Sequence, residues 1–371
     1  MQKKIIALAI ASVLSAPAFA DTANINFYGI ADVSYDMVDT GTATNGTEGA
    51  SKRVVSSNVS RFGFKGSEAL GDGLTAVWQI EQQINIDDSS NSCAAVAAGA
   101  AVPECKSNNG IFATRNTFAG LKGDFGTVLL GRHDTPYKIS TRKLDVFGDH
   151  IADNRSLMGQ GGQGFELRPT DVLAYISPAF AGVTAAIATV NLTESNTLDS
   201  QKSNSALSIA VMYDAAPFYG SVAHEQHKLD TVADGADESA TRVGFGYTEE
   251  MFSVGVAYEK ITDNQGVAQA SKFDHNTVYV SGKLNLGSGA VKLAYTKLGE
   301  VASVADTGAS QVSVGYDYSL SKRSTVYAMY TKLSNDQAAK YKLSQNSGAS
   351  STLAGTGASP SAISMGLKHV F

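Results

Sequence analysis

Two sets of charged residues stand out for what they could do together. Arg61, Arg115 and Arg132 lie in stretches where apolar and polar residues alternate, and so does Glu81, between Gln79 and Gln83. Residues 136–168 gather Asp145, Asp149, Asp153 and Glu166 together with Arg142, Lys143, Arg155 and Arg168. Opposed across a narrow water-filled gap, basic and acidic side chains produce a transverse field. Such a field orients water and dipolar solutes and disfavours apolar ones. Both signs are present, so the sequence does not choose between anions and cations.

Other chemistries fail on context. Gly159-Gln160-Gly161-Gly162-Gln163-Gly164 matches G-x-G-x-x-G, but it follows a charged connector rather than a strand and opens no helical pattern. His224-Glu225-Gln226-His227 is not H-E-x-x-H. On a strand its two histidines point to opposite faces, which spoils joint ligation. No Ser-His-acid set stands out, and no His cluster has metal spacing. We therefore expect no enzyme activity, no cofactor and no metal. The two cysteines, Cys93 and Cys105, sit in loop-like sequence, where one local disulfide is the expectation in an exported chain.

The elements that must position these residues are strands. Charged residues are 17% of the 371, below the roughly 25% usual in soluble chains. Apolar residues reach 43% but are dispersed, which suits alternation better than helical blocks. Residues 1–20 read as a signal peptide: Lys3 and Lys4, an apolar run from Ile5 to Leu14, and Ala18-Phe19-Ala20 for cleavage. That leaves 21–371 as the mature domain, more acidic than the −6 of the whole sequence, which argues against nucleic acid as a partner. No later stretch approaches ~18 uncharged apolar residues, so no transmembrane helix is expected.

Segments of about ten residues show period-2 alternation throughout. Ile25, Phe27, Ala31, Val33 and Tyr35 share one face, with Asp32, Ser34 and Asp36 on the other; Phe252, Val254, Val256 and Tyr258 alternate with Ser253, Gly255, Ala257 and Glu259. Between segments, connectors alternate short and long. Short ones such as Gly71-Asp72-Gly73 and Gly287-Ser288-Gly289 carry tight-turn residues. Long ones fall near 39–52, 88–109, 136–168, 193–204, 228–240, 263–273, 300–309 and 335–360. Eight long loops and seven short turns imply an all-β fold, a 16-stranded antiparallel transmembrane β-barrel. A soluble sandwich would not explain the short–long alternation. Closure satisfies every edge group, as hydrocarbon requires, and a barrel of this size encloses water.

Strand parity assigns faces. Arg61 alternates with Phe62 and Phe64 and should face the lumen with Arg53 and Lys65. Glu81, Gln79 and Gln83 should do so opposite Trp78 and Ile80. Arg115 and Arg132 lie in strands whose Phe118 and Leu129 look lipid-facing, so both arginines are expected inward; a lipid-facing Arg at the midplane costs roughly 2–4 kcal/mol. Residues 136–168, too long for a passive connector, are either a solvated surface loop or a constriction folded into the lumen.

These residues resemble a family. Ser60-Arg61-Phe62-Gly63-Phe64-Lys65-Gly66-Ser67-Glu68, Asn116-Thr117-Phe118-Ala119-Gly120-Leu121-Lys122-Gly123, Ala174-Tyr175-Ile176-Ser177-Pro178, Tyr316-Asp317-Tyr318-Ser319-Leu320-Ser321-Lys322-Arg323 and the terminal Phe371 look, in this order, like the general trimeric porins of Gram-negative bacteria, of the beta-proteobacterial and neisserial type. The resemblance implies a homotrimer in the outer membrane, passive diffusion of small hydrophilic solutes and ions, and an inward-folded third long loop. The acidic-aromatic-glycine signature of many relatives is absent from that loop. Phe371 resembles the signal read by outer-membrane assembly machinery; it also suits a last strand at the lipid interface. Residues 88–109 could latch onto a neighbouring subunit.

Overall fold

The computed structural model describes residues 24–86, 113–161, 164–192, 204–229, 237–263, 274–302, 304–343, 353 and 355–371. The segment expected to be a signal peptide, and Cys93 and Cys105, lie outside the described residues. Seventeen strand segments run in chain order: β1 (Asn24–Asp39), β2 (Ser51–Ser57), β3 (Arg61–Gly71), β4 (Leu74–Gln83), β5 (Thr117–Gly123), β6 (Gly126–Arg132), β7 (Val172–Ile176), β8 (Val183–Asn191), β9 (Asn204–Ala215), β10 (Phe218–Leu229), β11 (Asp237–Thr248), β12 (Phe252–Asp263), β13 (His275–Leu286), β14 (Gly289–Leu298), β15 (Ala309–Ser319), β16 (Ser324–Asn335) and β17 (Ser361–Val370).

β2 and β3 are one strand with a break, so the barrel has sixteen. Both pair with β1, β2 along Val33–Asp39 and β3 along Asn24–Ile30. Every other strand pairs antiparallel with its sequence neighbours, and β1 pairs with β17 from Ile30↔Val370 to Asp39↔Ser361, closing the sheet. A closed barrel leaves no unpaired edge in the membrane. The seven short turns fall where the turn chemistry places them. At Gly71-Asp72-Gly73 all three residues have positive φ, which Gly and Asp tolerate.

Alternation sets the faces along most of the wall. Tyr35, Val256, Leu293 and Met365 are exposed outward, while Asp32, Asp36, Glu259 and Ser364 are buried inward. Two parts depart from the expected phase. Between Ser57 and Arg61 the chain has one residue more than its partner segment between Ile30 and Val33, a β-bulge. It inverts the phase: Arg61 points into the lumen as expected, but Arg53, paired with Met37, shares the outward face of Tyr35 and Val55. Val59 sits in the bulge at φ +57, a conformation costly for a β-branched residue. Asn58 pins it, its Nδ2 donating to Ser34 Oγ and to Tyr327 Oη, both at 2.9 Å.

The second departure is at β5 and β6. Phe118 pairs with Gln79 and faces the lumen, and Leu129 is 2% exposed against 61% for Leu130. Both residues were expected to face lipid. The inner wall here is apolar, with Leu129, Val172, Ala174, Ala188 and Val190 packed together, so apolarity does not mark the lipid face.

Candidate pore constriction

The third long loop, residues 133–171 between β6 and β7, packs against the inside of the wall. It opens with the one-turn helix α1 (Pro136–Ile139), capped by Thr135, whose Oγ1 accepts from Lys138 N, with Pro at the first position. Tyr137 of α1 is fully buried. Its backbone N donates to Ser208 Oγ at 2.9 Å and its Oη to Glu259 at 2.7 Å.

The loop then runs down β10 to β13. Leu144 occupies a socket whose floor is glycine: a Cβ added to Gly244 or Gly246 would lie 2.8 Å from its methyl groups, and one at Gly255 would lie 3.2 Å from its Cβ. Tyr219, Ala257 and Tyr279 wall the socket. Larger inward side chains would displace the loop, which is why three lumen positions carry none. Beyond it, Phe147, Ile151 and Leu157 pack on Leu298, Met329 and Leu333. His150 lies 3.2 Å from Asp32 on β1.

A buried ion network fastens the loop. Arg242 of β11 faces Glu259 of β12, paired with it in register, and its guanidinium is in direct contact with that carboxylate. Arg242 Nη1 also donates to Glu166 Oε1 at 2.7 Å and its guanidinium lies 4.3 Å over the Tyr137 ring. The second Glu259 oxygen accepts from Gly159 N at 2.8 Å. Gly159, which opens the G-x-G-x-x-G-like segment, is thus held to the wall by a carboxylate. His227 is buried between Glu225 at 2.9 Å and Glu238 at 2.7 Å, while His224 is exposed outward, so the two histidines do part to opposite faces.

Between the loop and the opposite wall lies a cavity of about 810 Å³. Eight basic and three acidic side chains line it. From the wall come Arg61 and Arg115; from the loop, Asp149, Arg142 and Arg155; from the last long loop, Lys340 and Lys342. Arg61 Nη1 is 3.7 Å from Asp149 Oδ2, and Arg61 Nε is 3.8 Å from Glu81. Arg115 Nε is 2.6 Å from Glu81 Oε1, and Tyr28 Oη donates to Glu81 Oε2 at 2.9 Å.

Each acid here is already matched. Asp149 meets Arg142 and Arg155, both at 2.9 Å, besides Arg61. Burial works to raise its carboxyl, but the three guanidinium groups outweigh burial and hold it down at about 2. Asp134 meets Lys138 at 2.9 Å and Arg168 at 3.0 Å; these two cations outweigh burial and keep its carboxyl well below the usual range. With Glu81 and Asp153, which pair with lining arginines, counted beside the three lining acids, the eight cations still outnumber five acids, so the cavity is basic inside an acidic chain.

The structure therefore brings Arg61, Arg115, Asp149 and Glu166 to one space, with Glu81 outside the lining but paired with the two arginines. It places three others elsewhere. Asp153 is fully buried within the loop, bound by Arg155 and Arg142. Asp145 accepts from Tyr279 Oη at 2.9 Å and from the backbone N of Phe147 and Asn154. Burial, with Asp153 nearby, pushes its carboxyl up to about 6. Arg132 pairs with Thr117 on the face of Leu130, and its guanidinium donates to Arg168 O at 3.3 Å, outside the cavity lining. Arg115 precedes β5 rather than lying in it, which frees it to turn inward. The sequence reading missed Arg242, Lys340 and Lys342. Inward parity beside Glu259 was available for Arg242; the lysines depend on how a long loop folds.

Comparisons with known proteins agree with this architecture. The family model described as Gram-negative porin matches residues 7–338. "Outer membrane porin protein 32" of Delftia acidovorans is 27% identical over the full length of both chains. "Major outer membrane protein P.IB" of Neisseria sicca is 26% identical, covering 88% of this chain and 92% of that one. Among solved structures, an "Anion-selective porin from Comamonas acidovorans" superposes with a TM-score of 0.77 at 22% identity, covering 94% of this chain and all of the other. Salmonella typhi OmpF in complex with daunomycin gives 0.65 at 16% identity, covering 94% of this chain and 97% of the other.

Proposed function

The chain belongs to the Gram-negative porin family, and from that premise we propose that its third long loop and the facing Arg61 and Arg115 form the constriction of an outer-membrane diffusion channel that prefers anions. The carrying observation is the excess of basic side chains around the cavity, where every acid already has at least one cationic partner. Small hydrophilic solutes and ions are the cargo. A low-dielectric wall around fixed positive charge raises the local anion concentration and repels cations. The similar fold of the anion-selective porin from Comamonas acidovorans supports the same sign. Nothing in this reading calls for catalysis.

A homotrimer is part of the proposal, supported by the porin relatives. So are removal of residues 1–20, a Cys93–Cys105 disulfide, and recognition of Phe371 by assembly machinery. Phe371 closes the seam: its N donates to Gly29 O and its O accepts from Gly29 N, at 3.0 and 2.9 Å. Reversal potentials across a planar bilayer in a potassium chloride gradient test the channel's sign. Chloride should carry the larger share; a potassium-preferring or non-conducting protein would defeat the proposal.

A further inference from the structure

The outside of the barrel repeats a short pattern that the lumen does not explain. On β12, β14 and β16 the sequence reads Tyr258-Glu259-Lys260-Ile261, Tyr295-Thr296-Lys297-Leu298 and Tyr330-Thr331-Lys332-Leu333. In each, the tyrosine and the lysine are exposed outward while the residues after them turn in and are buried. Each lysine stands eight residues beyond the first residue of its strand, Phe252, Gly289 and Ser324. These strands all start at short turns, so the three ammonium groups sit at one height, near the long-loop end. The register agrees: Lys260 and Lys297 lie opposite Asn276 and Val278 of β13, and Lys297 and Lys332 opposite Ser310 and Val312 of β15. That is a stagger of two residues per two strands, as tilted strands require for positions at one level.

Spacing follows from sheet geometry. Two strand separations and two residues put neighbouring lysines roughly 12 Å apart at their Cα atoms. A phosphate midway is within roughly 6 Å of each, about the extended length of a lysyl side chain. The tyrosines below mark the boundary of the hydrocarbon, where an amphipathic ring is at home. Among the described residues none of the three lysines is in an ion pair. The pattern is confined to one side. The residues at the same offset on β10, β4 and β8 are Gln226, Gln82 and Asn191, and none of them carries a charge.

We propose that Lys260, Lys297 and Lys332, each above its tyrosine, form a docking strip for phosphorylated glycolipid of the outer leaflet. Charge complementarity selects a phosphate-bearing head group, and the long-loop end of a barrel faces the outer leaflet. A second copy of the chain is a poor occupant, because a row of like charges offers it nothing to pair with. The strip is separate from the lumen, so it stands or falls independently of ion selectivity.

The full-length protein in detergent, followed by native mass spectrometry, tests the strip with three probes: diphosphorylated lipid A, the same lipid with both phosphates removed, and phosphatidylglycerol. Wild type should bind the phosphorylated form most tightly. Each Lys→Gln change should weaken that binding roughly fivefold. K260Q/K297Q/K332Q should no longer distinguish the phosphorylated from the dephosphorylated lipid, with reversal potential and melting temperature unchanged. The proposal is overturned by equal wild-type affinity for the two forms, by equal affinity for phosphatidylglycerol, by no lipid binding at all, or by a triple variant that binds like wild type.

Discussion

Asp149 on the third loop and Arg61 on β3 face each other across the lumen with 3.7 Å between Oδ2 and Nη1. The contact is long for a hydrogen bond, and two other arginines share the same carboxylate. Arg61 therefore acts more as a field source than as a clasp. One unit charge over ~10 Å of water is worth about 0.4 kcal/mol, roughly a factor of two in ion preference. D149N should raise the chloride-to-potassium permeability ratio by about that factor, and R61Q should lower it. Both shifts, read as reversal potentials, should shrink in 1 M salt, where the screening length falls to about 3 Å.

Arg115 and Arg132 separate two kinds of arginine. R115Q should lower the permeability ratio about as R61Q does, because Arg115 lines the cavity. R132Q should leave it unchanged, because Arg132 lies on the outward face. Equal effects of the two changes on the reversal potential would remove the basis for placing the constriction between β3 and the third loop.

The Leu144 socket can be emptied without touching a charge. L144A deletes a buried side chain from the loop's deepest contact, a loss of about 2–5 kcal/mol in loop docking. Single-channel traces should become noisier, with larger open levels, while the far-ultraviolet circular dichroism of the barrel stays unchanged.

R242M strips Glu259 of its guanidinium partner in a fully buried setting. A carboxylate left unpaired there costs about 3–5 kcal/mol. The double change R242M/E259Q should recover most of that loss. Thermal unfolding of the four proteins in a double-mutant cycle measures it.

Asp145 gives a pH dependence of definite sign. Its folded carboxyl titrates at about 6, above the unfolded value, so ionisation is disfavoured in the folded loop. Relative to D145N, wild type should be unaffected below pH ~4 and lose stability as pH rises from there through 6, levelling off above. Asp149 runs the other way: its contribution is present above the unfolded value and is lost as pH falls toward 2. Melting temperatures of wild type, D145N and D149N between pH 3 and 8 distinguish the two.

Strand number, turn positions and the inward course of Asp32, Glu81 and Glu259 were legible because period-2 alternation is a local property. Phase was legible only where nothing interrupted it. One extra residue at Asn58–Ser60 turned Arg53 outward, and no residue type there announces a bulge. Phe118 and Leu129 misled for a different reason. They are apolar because other apolar residues cover them from within, and burial by one's own chain reads the same as burial by lipid. The acids of the third loop were visible as charges, but Asp145 and Asp153 serve to hold the loop, which depends on the folded positions of Tyr279 and Arg155.

The closing seam joins residues that are almost the whole chain apart, Ile30 with Val370 and Gly29 with Phe371. Neighbouring hairpins can form as soon as their own residues meet, whereas this ladder must wait until nearly all of the sheet exists. Loop-closure entropy grows with the logarithm of separation, and such long-range pairing is slow. Closure should therefore be the late, concerted step of assembly, and the third loop, whose seats are spread over β8 to β17 and β1, has no complete berth until that step is done.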